Sequence, residues 1–233
     1  MKLFKNIKNW LENQEHLFYL FLFILIVPNM VLCFTEPLPF MAKVANVLLP
    51  FGCYYLLMTL SRNCGKMLWI LFLFLFFGAF QIVLLYLFGQ SIIAVDMFLN
   101  LVTTNSSEAL ELLDNLTPAI IAVIILYVPA LILGTISIIR KRKLTVEFIR
   151  RERKRAFLVF GISLLSLVGA YVQDSGYELK SDLYPLNVCY NVGLAFQRTA
   201  LTQDYHRTSK DFTFHARPRS EEHTSELQSR QVI

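Results

Sequence analysis

A segment between two long apolar runs carries polar side chains at regular spacing. DMFLNLVTTNSSEALELL (residues 96–113) has four of them spaced four residues apart, namely Asp96, Asn100, Thr104 and Glu108. Residues with that spacing share one face of an α-helix. A carboxylate can pair with an ammonium group, and Asn and Thr side chains can donate hydrogen bonds to phosphate oxygens. At a membrane surface this stripe is therefore suited to the headgroup of a zwitterionic lipid.

The same residues permit a second interpretation, in which the helix begins inside the segment. NSSE (residues 105–108) resembles a capping box, with Asn105 or Ser106 as the N-cap and Glu108 reaching back. The helix would then run through EALELLDNL, and the stripe would break at Asn105. A capped helix still presents Glu108 in its first turn, so the two interpretations overlap at that residue.

The rest of the chain predicts an all-α, polytopic integral membrane protein. Of its 233 residues, 55% are hydrophobic and only 17% are charged, a composition typical of membrane proteins and not of soluble domains. Five uncharged runs are long enough, or nearly so, to cross a hydrocarbon core, which needs roughly 17–25 residues per helix. These predicted spans are residues 17–34, 44–60, 67–88, 118–139 and 156–172, which form a membrane domain over 17–172.

Basic residues are concentrated on one side of this predicted topology. RKRKLTVEFIRRERKR (residues 140–155) alone holds nine Lys or Arg, and its side of the membrane holds fourteen. The two short loops on the opposite side hold only Lys43. By the positive-inside rule the N-terminus is cytoplasmic and the C-terminus lies outside. The formal net charge of +5 is therefore explained by topology and anionic lipid, and not by nucleic acid.

None of the five predicted spans contains Asp, Glu, Lys, Arg or His. Pumps and ion-coupled transporters usually need such residues within the membrane. The polar residues present in the spans are suited to hydrogen bonding between helices, and include Asn29, Asn46, Gln81 and Tyr127. This pattern favours an anchor or platform over a conduit.

Polar segments flank the predicted membrane domain. Residues 1–16 are predicted to be an amphipathic lead-in at the cytoplasmic interface, and residues 173–218 an outer bridge or linker. Within the bridge, Pro185 stands where it can open a short helix in the outer interface. The apolar face of that helix would consist of Leu186, Val188, Cys189, Tyr190 and Leu194. A strand and loop packed on a soluble domain is the alternative.

The last residues differ abruptly in composition from the rest. RSEEHTSELQS (residues 219–229) corresponds, codon by codon, to an in-frame translation of a common short-read sequencing adapter. We therefore interpret residues 219–233 as an artefact and expect the natural chain to continue past Pro218. The EEH cluster at residues 221–223, which has metal-ligand chemistry, is excluded with them.

The segment FLNLVTTNSSEALELL, between the third and fourth spans, resembles the membrane domain of the phosphoethanolamine transferases that modify lipid A and related glycans. In that family this outer loop carries an Asn, a Thr-Asn pair and a Glu-Ala at the same spacing. The matching positions are Asn100, Thr104, Asn105, Glu108 and Ala109. LYPLNVCYN after the last span and the SKDFTFHARP linker are also similar to the family's bridge. The resemblance covers nearly all of residues 1–218.

The resemblance implies an enzyme of the bacterial inner membrane with a zinc-binding periplasmic domain of the alkaline-phosphatase or sulfatase type. In that domain a Thr nucleophile takes phosphoethanolamine from phosphatidylethanolamine and passes it to lipid A or another glycan. Metal activates such a nucleophile and stabilises the phosphoryl charge. No position of this chain matches the nucleophile or the zinc ligands, so we expect no catalytic or metal-binding residue in it and no activity by itself.

The resemblance implies that this chain binds the lipid donor. The residues implied in binding are Asn100, Thr104 and Glu108. Asn105 is expected to act as a cap, and Asp96 lies outside the family motif. Two alternatives remain. A phosphoglycerol transferase of the same superfamily would not need a carboxylate placed for an ammonium group, so Glu108 discriminates the two. A stand-alone sensor or transport module would have ionisable residues inside its spans.

Overall fold

The structure is a computed structural model that describes residues 10–88 and 106–209, with side chains described for 10–86 and 116–202. The helices of these ranges are α1 (Gln14–Thr35), α2 (Phe40–Met58), α3 (Cys64–Ile70), α4 (Phe72–Phe88), α5 (Ser106–Ile139), α6 (Val146–Gln173), α7 (Leu179–Asp182) and α8 (Leu186–Ser209). No strand occurs in them. The chain divides into two compact units, Met1–Ala195 and Phe196–Ile233, and the second is described only over the rest of α8.

Four helices are long and apolar enough to cross a membrane. They are α1, α2, the Leu116–Ile139 part of α5, and α6. The pair α3 and α4 passes the same test when taken together, although the two are bent by 64°. The predicted all-α membrane architecture is therefore supported with four spans, or five if the bent pair is one span.

The bent pair departs from the prediction of one continuous run over 67–88. The break falls at Leu71, between α3 and α4, and neither a Pro nor a Gly stands next to it. Both halves of the bent pair contact α5, and α3 does so very closely. Gly65 closes directly on the backbone of Gly134, and Trp69 Nε1 donates to Thr135 Oγ1 at 3.1 Å. Small residues allow such close approach of helices in membranes.

Helix α1 lies at the centre of the bundle and contacts α2, α3, α4 and α5, while α2 and α6 form the most extensive pair. In an 18-residue apolar window of each helix, the buried share is 56% for α1 but only 22% for α5 and 17% for α6. Large apolar side chains on α5 and α6 are correspondingly exposed, Ile125 at 68% and Leu165 at 72% among them. An exposed apolar surface on this scale is typical of contact with lipid.

The loops rich in basic residues meet at one end of the bundle. Arg62 and Leu144 pair through their backbones, with Leu144 N donating to the Arg62 carbonyl at 2.7 Å. Asn63 Nδ2 donates to the carbonyl of Arg142 at 2.9 Å, and the Arg142 guanidinium lies 3.8 Å from the Glu12 carboxylate. The N-terminal segment, the α2–α3 turn and the α5–α6 loop therefore share one end. Which side of a membrane this end faces remains a prediction.

A helix follows Pro185, as predicted, but α8 is longer than the short helix expected. Within its first turns Val188 is buried, and Val192 packs beside it on a cluster formed by α1 and α4. Three other members of the predicted apolar face are exposed, namely Leu186, Cys189 and Tyr190. The contact with α1 and α4 turns the side with Val188 and Val192 inward, and the placement of the predicted apolar face in a membrane interface stays a prediction. Asn187, which lies on that side, is fully buried.

Candidate functional site

Most of the predicted lipid-binding stripe lies outside the described residues. The residues outside the described part are Asp96, Asn100, Thr104 and Asn105. The structure therefore describes neither the stripe nor the predicted cap. Glu108 lies in the described part of α5, and its backbone is helical. The structure therefore gives the position of Glu108 along a helix and leaves the arrangement of the other predicted residues untested.

The position of Glu108 can be related to the membrane because α5 continues into a candidate span. The candidate span is found over Leu116–Ile139, and Leu116 is also the first residue of α5 whose side chain is described. At about 1.5 Å per residue, the Glu108 backbone lies about 12 Å along the helix from Leu116. Glu108 therefore precedes the candidate span on the same continuous helix, by about two turns.

At the end of the bundle away from the basic loops, two buried Asn side chains tie the chain after α6 to α1 and α2. Asn29 Nδ2 donates to the Asn46 carbonyl at 2.9 Å and to the Tyr184 carbonyl at 2.7 Å. Asn46 Nδ2 donates to the Asp182 carbonyl at 2.6 Å, and the Tyr177 hydroxyl donates to Asn46 Oδ1. The segment between α6 and α8 is therefore held against the membrane domain by side chains from two spans.

The Tyr177 phenol lies outside the spans, and burial raises its pKa above the ordinary value. It therefore remains protonated at neutral pH and can keep donating to Asn46. The sequence predicted that Asn29 and Asn46 would make hydrogen bonds between helices. It could not predict that three of their partners would lie on the segment after the last span, since that pairing is set by tertiary contacts.

Several buried polar atoms near this segment have no hydrogen-bond partner among the described residues. They are the hydroxyls of Tyr127 and Tyr184, Asn29 Oδ1, and both side-chain polar atoms of Asn187. The two hydroxyls converge on Gly78: a Cβ built there would lie 3.0 Å from the Tyr127 hydroxyl and 3.4 Å from that of Tyr184. Phenols without partners in apolar surroundings can hold a small polar guest such as a buried water molecule.

A buried carboxylate at the basic end was missed by the sequence analysis. Glu152 on α6 is 0% exposed and accepts hydrogen bonds from the Tyr55 hydroxyl on α2, Arg151 Nε and Arg155 Nη1, the last two at 2.9 Å. The fifth predicted span began at residue 156, whereas α6 begins at Val146, so Glu152 lies within a candidate spanning helix. The one acid in RRERKR was the available signal. Because these donors bond to its carboxylate, Glu152 links α6 to α2.

No protein family, curated protein or solved structure matches this chain. In the part of the chain that the structure describes, no group of three or more His, Cys, Asp or Glu side chains is arranged to hold a metal ion.

Proposed function

We propose that this chain is the membrane anchor and lipid-donor-binding part of a phosphoethanolamine transferase. The enzyme would move phosphoethanolamine from phosphatidylethanolamine to lipid A or another surface glycan. In this proposal the chain lies in the bacterial inner membrane with its C-terminus in the periplasm. Zinc belongs to the catalytic domain of such enzymes and not to these residues.

The observation that carries the proposal is the continuity of α5. One helix runs from Ser106 through a candidate span that ends at Ile139. Glu108 stands on that helix about 12 Å before Leu116, and in the proposal its carboxylate lies at the height of the lipid headgroups. A carboxylate at that height suits the ammonium group of phosphatidylethanolamine, which is the outermost group of that lipid. In the proposal Asn100 and Thr104 hold the phosphate oxygens beside it.

The segment after α6 supports a bridging role for residues 173–218. A donor that is bound by a membrane domain and consumed by a domain in the aqueous phase requires a defined connection between them. The hydrogen bonds of Asn29 and Asn46 fix the start of that connection, and α8 continues it. These contacts support the assignment without depending on the residues of the stripe.

The alternatives receive no specific support. A phosphoglycerol donor carries no ammonium group and gives Glu108 no partner. A transport module would need an ionisable residue open to a pathway. Glu152 is ionisable and lies within α6, but Tyr55 and two arginines surround its carboxylate. Those bonds connect α6 to α2 and do not form a transport pathway.

A long-read sequence of the source DNA across the codon for Pro218 tests the proposal. The proposal expects the reading frame to continue into a domain that contains a Thr nucleophile and zinc-ligating Asp, Glu and His residues. A natural stop codon close to that position would contradict it and would make the chain a stand-alone membrane protein.

A further inference from the structure

A groove on the basic end of the bundle is formed by the first turns of α6 and the α2–α3 turn. It encloses a volume of about 490 Å³. Four of its residues carry cations and three are apolar, namely Arg62, Arg150, Arg153 and Lys154, and Val146, Ile149 and Phe157. This lining combines four positive charges with a hydrophobic wall and contains no carboxylate.

The surrounding structure holds two of the cations in place. Arg153 Nη2 donates to the Thr59 carbonyl at 2.7 Å, and Arg62 Nε donates to the Leu144 carbonyl at 3.0 Å. These bonds leave the other guanidinium nitrogens free to bind a ligand. None of the four cations forms an ion pair with a described residue.

The acids of α6 leave the groove positively charged. The Glu152 carboxylate is buried and bonded to Arg151 and Arg155, which do not line the groove. Glu147 is exposed and borders the adjoining depression together with Arg150 and Lys154. One exposed carboxylate beside four cations leaves a net charge of about +3 for an anion to neutralise.

The face of α6 that begins at these cations continues as an exposed apolar stripe. Phe157 is 61% exposed, Leu165 72% and Val168 60%. Gly161 lies between Phe157 and Leu165 on this face, and a Cβ built on it would meet no atom within 4 Å. The stripe therefore has a gap at Gly161, next to the groove, that no described side chain fills.

We propose that this groove binds an anionic glycerophospholipid, one whose phosphate is not balanced by an ammonium group. Arg150 and Lys154, both exposed, bind the phosphate together with Arg62 and Arg153, because guanidinium and ammonium groups form charge-assisted hydrogen bonds with phosphate oxygens. One acyl chain lies on Phe157 and in the gap at Gly161. The apolar stripe favours a lipid over a free anion or a nucleic acid, neither of which would use it.

The test compares lipid retention by two double variants of the purified chain. Arg150→Gln with Lys154→Gln removes two charges from the groove, and Lys66→Gln with Lys143→Gln removes two exposed charges from the same end outside it. Each protein is equilibrated with equal amounts of phosphatidylglycerol and phosphatidylethanolamine, and bound lipid is counted by native mass spectrometry. Because all four side chains are exposed, both variants are expected to keep the wild-type helix content by circular dichroism.

At about 1 kcal/mol per basic residue near a lipid surface, the groove variant is expected to bind phosphatidylglycerol roughly 30-fold more weakly. The control is expected to lose less than about threefold, since exposed charges outside a contact are screened. Soluble dihexanoyl phosphatidylglycerol should displace the bound lipid, whereas inorganic phosphate at the same concentration should not. Equal losses in the two variants would overturn the proposal in favour of diffuse attraction. Displacement by inorganic phosphate would overturn it in favour of a small-anion site.

Discussion

At the scale of single residues, the buried polar side chains connect elements that are distant in sequence. Asn46 illustrates how much of this the sequence could predict. Its place in an apolar run indicated a hydrogen bond between helices, and the bond exists. The partners, Tyr177 and Asp182, lie in a polar segment more than a hundred residues away, and no local pattern identifies them. Glu152 escaped prediction for a related reason, because an acid inside a basic run is typical of a solvated surface.

Replacing Asn46 with Leu is expected to release the segment between α6 and α8. The change leaves the Tyr177 hydroxyl and the Asp182 carbonyl without their buried partner, at a cost of about 1–3 kcal/mol. Limited proteolysis in detergent should show faster cleavage between residues 174 and 185. Val47→Ala at the next position is the control: it removes apolar contact only and should leave that cleavage rate unchanged. An unchanged rate in Asn46→Leu would show that the two Asn bonds do not hold the segment.

Replacing Tyr55 with Phe is expected to destabilise the contact between α2 and α6. The buried Glu152 carboxylate loses one of its hydrogen-bond donors, and a bond to a charged group contributes about 1.5–3 kcal/mol. The midpoint of thermal unfolding in detergent should fall. Tyr171→Phe, at a side chain that is 43% exposed, is the matched control and should have little effect. Equal midpoints for the two variants would contradict the role given to Glu152.

At the scale of elements, hydrophobic runs predicted the positions of α1, α2, α5 and α6 in the chain, because the bilayer requires long apolar helices with internally satisfied backbones. Composition could not reveal the break at Leu71, because neither a Pro nor a Gly stands next to it. Nor could it show that α6 extends through RRERKR to Val146. Long basic side chains can lie along a helix end at the membrane surface, so the helix need not stop where the apolar run stops.

Gly65→Ala is expected to disturb the contact between α3 and α5, because a Cβ there would overlap the carbonyl oxygen of Gly134. The backbones must separate, and overpacking of this kind costs about 1–3 kcal/mol. Gly161→Ala is a control in which the Cβ meets no atom within 4 Å. It should be neutral, or stabilising by about 0.5–1 kcal/mol, because Ala is the better helix former. Thermal unfolding midpoints that fall equally for both variants would contradict a close contact at Gly65.

At the scale of the whole molecule, the structure groups the loops at two ends of the helix bundle. The sequence predicts which side of the membrane each end faces. The basic loops share one end, while the segment between α6 and α8 lies at the other. The positive-inside rule predicts that the basic end is cytoplasmic. In a variant without native cysteines, Ser175→Cys should react with a membrane-impermeant maleimide on intact spheroplasts. Lys143→Cys should react only after lysis. The reverse pattern would contradict the predicted orientation.

The central claim is that Glu108 recognises the ammonium group of the lipid donor, and the affinity of the purified chain for a soluble donor analogue tests it most directly. Glu108→Gln should weaken binding of dihexanoyl phosphatidylethanolamine by roughly 10-fold or more, as expected for loss of a charge-assisted bond. Binding of dihexanoyl phosphatidylglycerol should not change. Asp114→Asn, six residues along the same helix and so about 120° around it from Glu108, should alter neither. An unchanged affinity for phosphatidylethanolamine in Glu108→Gln, or an equal loss for both lipids together with lower helix content, would contradict the claim and favour a capping role for Glu108.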